Sequence, residues 1–219
     1  MQDLINQEIF EMEVLEYLKN KKILNNLVFI GGTMLRLCHE LPRYSTDLDF
    51  WLKKKTNISK FFLDIRDTLK EKYIITDSQN QFYTILFEIK SEKFPRKLKI
   101  EIRKKIGSFE FEQKIAFSKY TNIQVLLDAL TLEETMKNKI KAFIERKQIR
   151  DCFDIEFLLR KGIKIKESKE NLEKILRLIK KFKSSDYKVT LGSILEHNIR
   201  QFYIKKNFEF LISKINEIL

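Results

Sequence analysis

The sequence predicts an α+β protein, with a mixed sheet flanked by helices over residues 1–127 and an α-helical bundle over residues 128–219. Three observations carry this prediction. An apolar run, Leu27–Ile30, ends at Gly31-Gly32 and passes directly into a helix-forming segment, which is a strand–turn–helix junction. Several later runs in the first half alternate apolar and polar residues with the two-residue period of half-buried strands. Beyond about residue 127 that alternation stops, and apolar residues recur at helical spacing instead.

Taken in order, Leu4, Ile5, Ile9, Met12, Leu15 and Leu18 mark a helix over residues 3–20. Leu27–Ile30 reads as a buried strand, Thr33–Leu41 as a helix stopped by Pro42, and Asp47–Leu52 as the next strand. Ile58–Tyr73 has helical spacing, and β-rich runs follow at Tyr73–Thr76, Phe82–Lys90 and Leu98–Ile106. In the second half Thr131 and Glu134 form a capping box that opens a helix striped by Leu132, Met136, Ile140 and Phe143. Helical patterns then cover Ile149–Arg160, Glu167–Lys183, Ser185–Glu196 and Arg200–Leu219. No Gly/Ser-rich linker and no internal repeat separates the two halves.

Composition narrows the function. No apolar run reaches the roughly 18 residues of a membrane span, and the opening residues lack the basic-then-apolar order of a signal peptide. Two cysteines, Cys38 and Cys152, make neither a disulfide framework nor a metal-ligand spacing, so a cytoplasmic setting is expected. With 43 Lys and Arg against 31 Asp and Glu, the net charge is +12. That excess favours polyanionic partners, nucleic acid first. A Walker-type phosphate loop is missing, and His39 and His197 have no ligand neighbours, which argues against P-loop and zinc chemistry.

Two of only five glycines stand together at the strand–helix junction. Gly31 and Gly32 let a phosphate approach the backbone, the helix amino terminus favours the anion, and the Thr33 hydroxyl adds a donor. In Thr46-Asp47-Leu48-Asp49-Phe50 the strand period sends both aspartates to one face, opposite Leu48 and Phe50. Two close carboxylates repel unless a cation holds them, and Mg²⁺ (or Mn²⁺), which takes carboxylates together with phosphate oxygens, fits. Glu101 alternates with Ile100 and Ile102 on a neighbouring strand, available as a third metal ligand or as a base. In the helical half, Lys139 and Asp154 border apolar stripes and are directed inward. They pair with each other or, alternatively, Lys139 reaches a nucleotide phosphate. Arg146, Arg150 and Asp151 on the same stretch extend a phosphate-binding wall.

Ile30-Gly31-Gly32-Thr33-x-Leu35-Arg36 followed by Arg43-x-Ser45-Thr46-Asp47-Leu48-Asp49-Phe50 resembles the opening motif of the AbiEii/AbiGii toxin family of nucleotidyltransferases, in the polymerase-β-like superfamily. The Leu132–Lys139 helix with Arg146 and Arg150-Asp151-Cys152-Phe153-Asp154 is similar to that family's Lys-containing helix and Arg-Asp-x-x-Asp segment. The resemblance spans roughly residues 27–160. It implies catalytic metal on Asp47 and Asp49, a site completed by Lys139 and Asp154, and nucleotide contacts from Arg43, Ser45, Thr46, Arg150 and Asp151. It further implies transfer of a nucleoside monophosphate from an NTP to an acceptor, RNA (the 3′ end of tRNA) or protein, in a toxin–antitoxin or phage-defence system with a cognate antitoxin. Ser45, beside the acid pair, is a candidate for self-modification. Glu101 departs from the aspartate usual on the third strand. A reading from another class is a basic RNA- or antitoxin-binding module of the same fold without turnover. A third is nucleotidylation of a small molecule such as an aminoglycoside, whose cationic substrates the charge of +12 mildly disfavours.

Overall fold

The computed structural model describes residues 1–104 and 107–219, so the last two residues of the expected run Leu98–Ile106 lie outside it. The chain forms two compact units. The first comprises Met1–Glu40 and Tyr44–Leu130, the second Leu41–Arg43 and Thr131–Leu219.

The first unit is built on a seven-stranded mixed sheet: β1 (Leu27–Ile30), β2 (Asp47–Leu52), β3 (Ile74–Asn80), β4 (Thr84–Lys90), β5 (Leu98–Arg103), β6 (Phe111–Phe117) and β7 (Gln124–Leu130), in the order β3-β4-β5-β2-β1-β7-β6. β2 runs parallel to β5 and β1 parallel to β7, while the other neighbours are antiparallel. Three helices accompany it: α1 (Gln2–Asn20), α2 (Gly31–His39) and α3 (Ile58–Lys70). The alternation in β2, β4 and β5 works as read. Leu48, Phe50, Ile85, Phe87, Ile100 and Ile102 are buried on one face, where Phe29 stacks on Phe50 at 5.2 Å and Phe62 of α3 on Phe87 at 5.2 Å. Asp47, Asp49, Glu101 and Thr84 fall on the other.

α2 begins two residues earlier than the spacing suggests, at Gly31 itself. It stops at His39 because Glu40 turns left-handed (φ 62°), immediately ahead of Leu41-Pro42. The larger difference is at residues 111–130, where the expectation that strand alternation stops near residue 127 is corrected: β6 and β7 form a hairpin closing one end of the sheet. Residues 128–130 therefore belong to a strand, and the second unit starts at Thr131. The pattern was obscured because β7 has buried Val125 and Leu127 but exposed Leu126, and β6 turns apolar residues toward solvent.

The second unit contains α4 (Leu132–Arg146), α5 (Ile149–Arg160), α6 (Lys169–Ile179), α7 (His197–Lys206) and α8 (Glu209–Ile218). Thr131 caps α4 by accepting from the Glu134 N–H at 3.4 Å, and Ser168 caps α6 from the Asn171 N–H at 3.3 Å. Two expected helices are corrected. Residues 186–194 form a π-helical turn and a short 3₁₀ turn, and the run Arg200–Leu219 is broken at Asn207, whose φ of 49° ends α7. Phe143, Phe153, Tyr187, Tyr203 and Phe208 fill the core. Within it Glu156 of α5, 1% exposed, accepts from the Tyr203 hydroxyl (2.9 Å) and from the Leu211 N–H (3.3 Å) in the first turn of α8. A buried carboxylate on a helix amino terminus is thereby satisfied.

Candidate active site

In the first unit, the diglycine turn and the acid pair meet. β1 and β2 run antiparallel with Ile30 opposite Asp49, so the turn after Ile30 lies beside the Asp49 side chain. Gly31 adopts φ +85°, and a Cβ placed on it would come within 2.6 Å of Asp49 Oδ2. Glycine is required here on both counts. Asp47 and Asp49 are both half-buried, their side chains on the same face of β2. The Thr33 hydroxyl, expected to serve a phosphate, donates instead to the Asp47 carbonyl oxygen at 2.6 Å, and Thr33 is fully buried. Its part is to fix the start of β2 against α2. Gly32 is buried in the same turn, while Ser45 and Thr46 are half-buried in the segment leading to Asp47.

Glu101 stands in register with Asp49, and Lys99 with Asp47, on the parallel strand β5. Glu101 is paired with Lys99 at 2.9 Å and Arg103 at 3.4 Å. Burial pushes its carboxyl up, but the hydrogen bond and charge from Lys99, helped by Arg103, outweigh this and hold it below the usual glutamate range. A carboxylate of lowered pKa is a weak proton acceptor, so the base role fits poorly. Lys99 is raised, first by its hydrogen bond to Glu101, against desolvation, with the charges of Asp47 and Asp49 adding to the effect. Among the described residues, no group of three or more His, Cys, Asp and Glu side chains is gathered closely enough to hold a metal ion. Glu101, the expected third ligand, is paired with its own cations, Lys99 and Arg103. The donor set that fits a divalent ion is the Asp47–Asp49 pair, completed by phosphate oxygens of a substrate. Mg²⁺ is ordinarily held by one or two carboxylates in that way.

α1 supplies residues that spacing alone did not single out. Gln7 donates from Nε2 to the carbonyls of Thr46 (3.3 Å) and Lys97 (3.4 Å), tying together the segments that lead into β2 and β5. Glu8 accepts from Ser118 Oγ (2.6 Å) and Arg36 Nε (2.7 Å), while the Arg36 guanidinium lies 4.2 Å from the centre of the Tyr44 ring. Glu11 is fully buried, and among the described residues neither of its oxygens has a hydrogen-bond partner. Burial, then the charges of Glu8 and Asp47, raise its carboxyl well above the ordinary value. The available signal was the i, i+4 spacing of Gln7 and Glu11, on the side of α1 that also carries Phe10, Val14 and Leu18.

In the second unit, Asp154 is completely buried. Arg43 forks onto it, Nε to Oδ1 and Nη2 to Oδ2, both at 2.6 Å, and Lys139 Nζ reaches Oδ2 at 2.7 Å. Desolvation raises the Asp154 carboxyl, but Arg43 and then Lys139 overcome it and hold it below the usual range. Asp151, also buried, has Oδ1 2.9 Å from Arg146 Nη2 and 3.7 Å from Lys139. Lys139 and Asp154 therefore pair with each other. Arg43 and Asp154, expected at the nucleotide and among the catalytic groups, form a buried ion pair that organises α4, α5 and the Leu41–Arg43 segment. Arg150 is exposed and donates to Gln148 Oε1 at 2.8 Å. Neither cysteine is a nucleophile, because burial pushes the Cys38 thiol up to about 12 and Cys152 well above its usual value.

In the first unit, then, a mixed sheet carries a glycine turn packed against the strand-borne Asp47-x-Asp49 pair. Residues 13–215 match the family described as nucleotidyl transferase AbiEii toxin, type IV toxin–antitoxin system, and the chain belongs to that family. Membership implies an NTP substrate and an antitoxin partner. No curated protein matches the sequence. Among solved structures, a candidate nucleotidyltransferase from H. pylori is similar at 19% identity over 96% of this chain and 97% of its own, with a TM-score of 0.58. JHP933 from Helicobacter pylori is similar at 19% identity over 94% of each chain, with a TM-score of 0.50. At that identity the likeness is one of fold. None of the helices among the described residues is long and apolar enough to cross a membrane.

Proposed function

We propose that this nucleotidyltransferase moves a nucleoside monophosphate from an NTP to the hydroxyl of an RNA acceptor, using a divalent cation held by Asp47 and Asp49. The observation that carries the proposal is the contact between Gly31 and Asp49, where a side chain at position 31 would occupy the space of the Asp49 carboxylate. Glycine at this position lets the turn pack directly against the Asp49 carboxylate, and the helix amino terminus that begins there favours a triphosphate. A bound Mg²⁺ would supply charge neutralisation at the reacting phosphate and on the leaving pyrophosphate. The protein's own part is to hold the two carboxylates on one face of β2, with Thr33 fixing the Asp47 backbone and Gln7 bracing its approach. Glu101 with Lys99 and Arg103 sets the charge beside them. The net charge of +12 supports a polyanionic acceptor.

The test is incubation of the purified protein with each labelled NTP, Mg²⁺ and total tRNA, beside the Asp49→Asn variant. Label is expected in RNA with the parent protein and absent with the variant. Label that persists undiminished in the variant, or that appears only in protein or a small molecule, sinks the mechanism or the acceptor respectively.

A further inference from the structure

The two edges of the sheet are built differently. β3 is polar along most of its length (Thr76, Asp77, Ser78, Gln79, Asn80) and irregular between Ile75 and Asp77, features that discourage another strand from adding there. β6, at the other edge, pairs with β7 in unbroken register from Phe111 to Phe117 and contains neither proline nor bulge. Its solvent-facing row is apolar except for Gln113: Phe111 is 44%, Ile115 52% and Phe117 40% exposed, beside Leu126 of β7 at 47%. The strand Phe111-Glu112-Gln113-Lys114-Ile115 has a further property. Run antiparallel to itself about Gln113, it places Phe111 opposite Ile115 and Glu112 opposite Lys114, twice over.

We propose that β6 pairs antiparallel with β6 of a second copy of this chain, about a two-fold axis through Gln113, to give a sheet continuous across the dimer. A two-fold axis normal to a sheet requires facing residues to lie on the same side, so only registers centred on a residue are allowed. Centring on Lys114 sets two lysines against each other, which is unfavourable for directly opposed residues. Centring on Ile115 leaves Lys114 opposite Ala116 and its charge unmatched. The Gln113 register alone pairs opposite charges and apolar side chains together. Glu112 and Lys114 already approach within 3.2 Å along one strand, so dimerisation would complete a four-charge row. On the other face, the exposed apolar row would gain Phe111–Ile115 contacts from both copies. Edge backbone groups of β6 would find partners in the same step.

Sedimentation velocity on the full chain, with NTP labelling as a check on folding, tests this. The parent protein is expected as a concentration-dependent dimer. Glu112→Lys sets two lysines opposite each other across the two-fold axis, the introduced one facing Lys114 of the second copy, and is expected to weaken association at least tenfold. Lys114→Glu does the same with two acids. The double variant, carrying both changes, restores the pairing in reversed sense and is expected to return the dimer. Gln113→Cys is expected to form a disulfide-linked dimer under mild oxidation, whereas the parent, with only its two part-buried or buried cysteines, does not. A parent chain that stays monomeric, or binds this face only to an added acidic protein, overturns the proposal. So does a dimer indifferent to both single reversals and not cross-linked through position 113.

Discussion

Two pairs of aspartates, one in each unit, have opposite fates. Asp47 and Asp49 sit half-buried on the open face of a strand, against a turn without side chains. Asp151 and Asp154 are buried on a helix, with Asp154 gripped by Arg43 and Lys139 and Asp151 by Arg146. Residue type and motif position alone do not separate them, since both belong to segments resembling the family's signature. Burial does. Asp151 and Asp154 are sealed in with paired cations and hold the fold, while Asp47 and Asp49 stay half-buried beside a glycine turn, where the metal and its nucleotide are proposed to sit.

The sharpest way to break this contrast is a pair of reciprocal variants. Asp49→Asn is expected to lower labelled NTP incorporation by about a hundredfold or more, the scale of losing a main electrostatic contact to the reacting phosphates, with little change in melting temperature. Asp154→Ala is expected to do the reverse at the level of stability. It leaves Arg43 and Lys139 buried without the Asp154 carboxylate, a loss of about 3–5 kcal/mol in urea denaturation of the purified protein. The pH dependence has a definite sign. Because the Asp154 carboxyl is held below its unfolded value, its contribution is complete above the ordinary aspartate range and is lost as pH falls toward the folded value. The parent should therefore lose stability on acidification more steeply than Asp154→Ala. Equal stability of the two proteins at neutral pH would show that the buried pair is not a structural anchor.

Gly31→Ala sharpens the other half. The methyl group would meet Asp49 Oδ2, and alanine at φ +85° adds strain of about 1–2 kcal/mol. Activity is expected to fall more than stability, because the displaced group is the carboxylate assigned to the metal. Measured NTP incorporation in a variant that remains folded by circular dichroism decides it. Activity unchanged within twofold would separate the glycine turn from the chemistry.

Much of this was legible in the chain. Leu27–Ile30, Asp47–Leu52 and Ile149–Arg160 form the elements their periodicity indicates, with the same bounds. Asp47–Leu52 is legible because its first residues alternate half-buried and buried, whereas Leu27–Ile30, buried throughout, is legible as a short apolar run ended by the diglycine turn. β6 and β7 were missed because that contrast is inverted or blurred: Phe111, Ile115 and Phe117 face solvent, and Leu126 sits between two buried neighbours. The break at Asn207 left no proline or glycine to mark it. For the site, Gly31 and the acid pair carry signals in residue type, whereas Gln7 and Glu8 act through partners distant in sequence, at Thr46, Lys97 and Ser118. Nothing local on a helix announces a partner one hundred residues away.

Glu11 gives the smallest effect, and the one most specific to the first unit. Its side chain is buried near Asp47, and a second charge there would repel the pair that is to hold the cation. Its raised carboxyl favours the neutral form, which does not. A raised folded pKa means that, between the ordinary glutamate range and that raised value, the unfolded chain binds fewer protons than the folded one, so stability declines as pH rises through this interval. Glu11→Gln removes the titration while keeping shape and neutrality. The two proteins are expected to have matching melting temperatures near pH 4, with the variant gaining relative to the parent toward pH 8 by about 1 kcal/mol at most, the scale of an ordinary single substitution. Parallel pH profiles would mean that Glu11 ionises without penalty in the folded state. The charges of Arg36 and Arg96, which already act to lower the Glu11 carboxyl, would then be what offsets the negative charge beside Asp47.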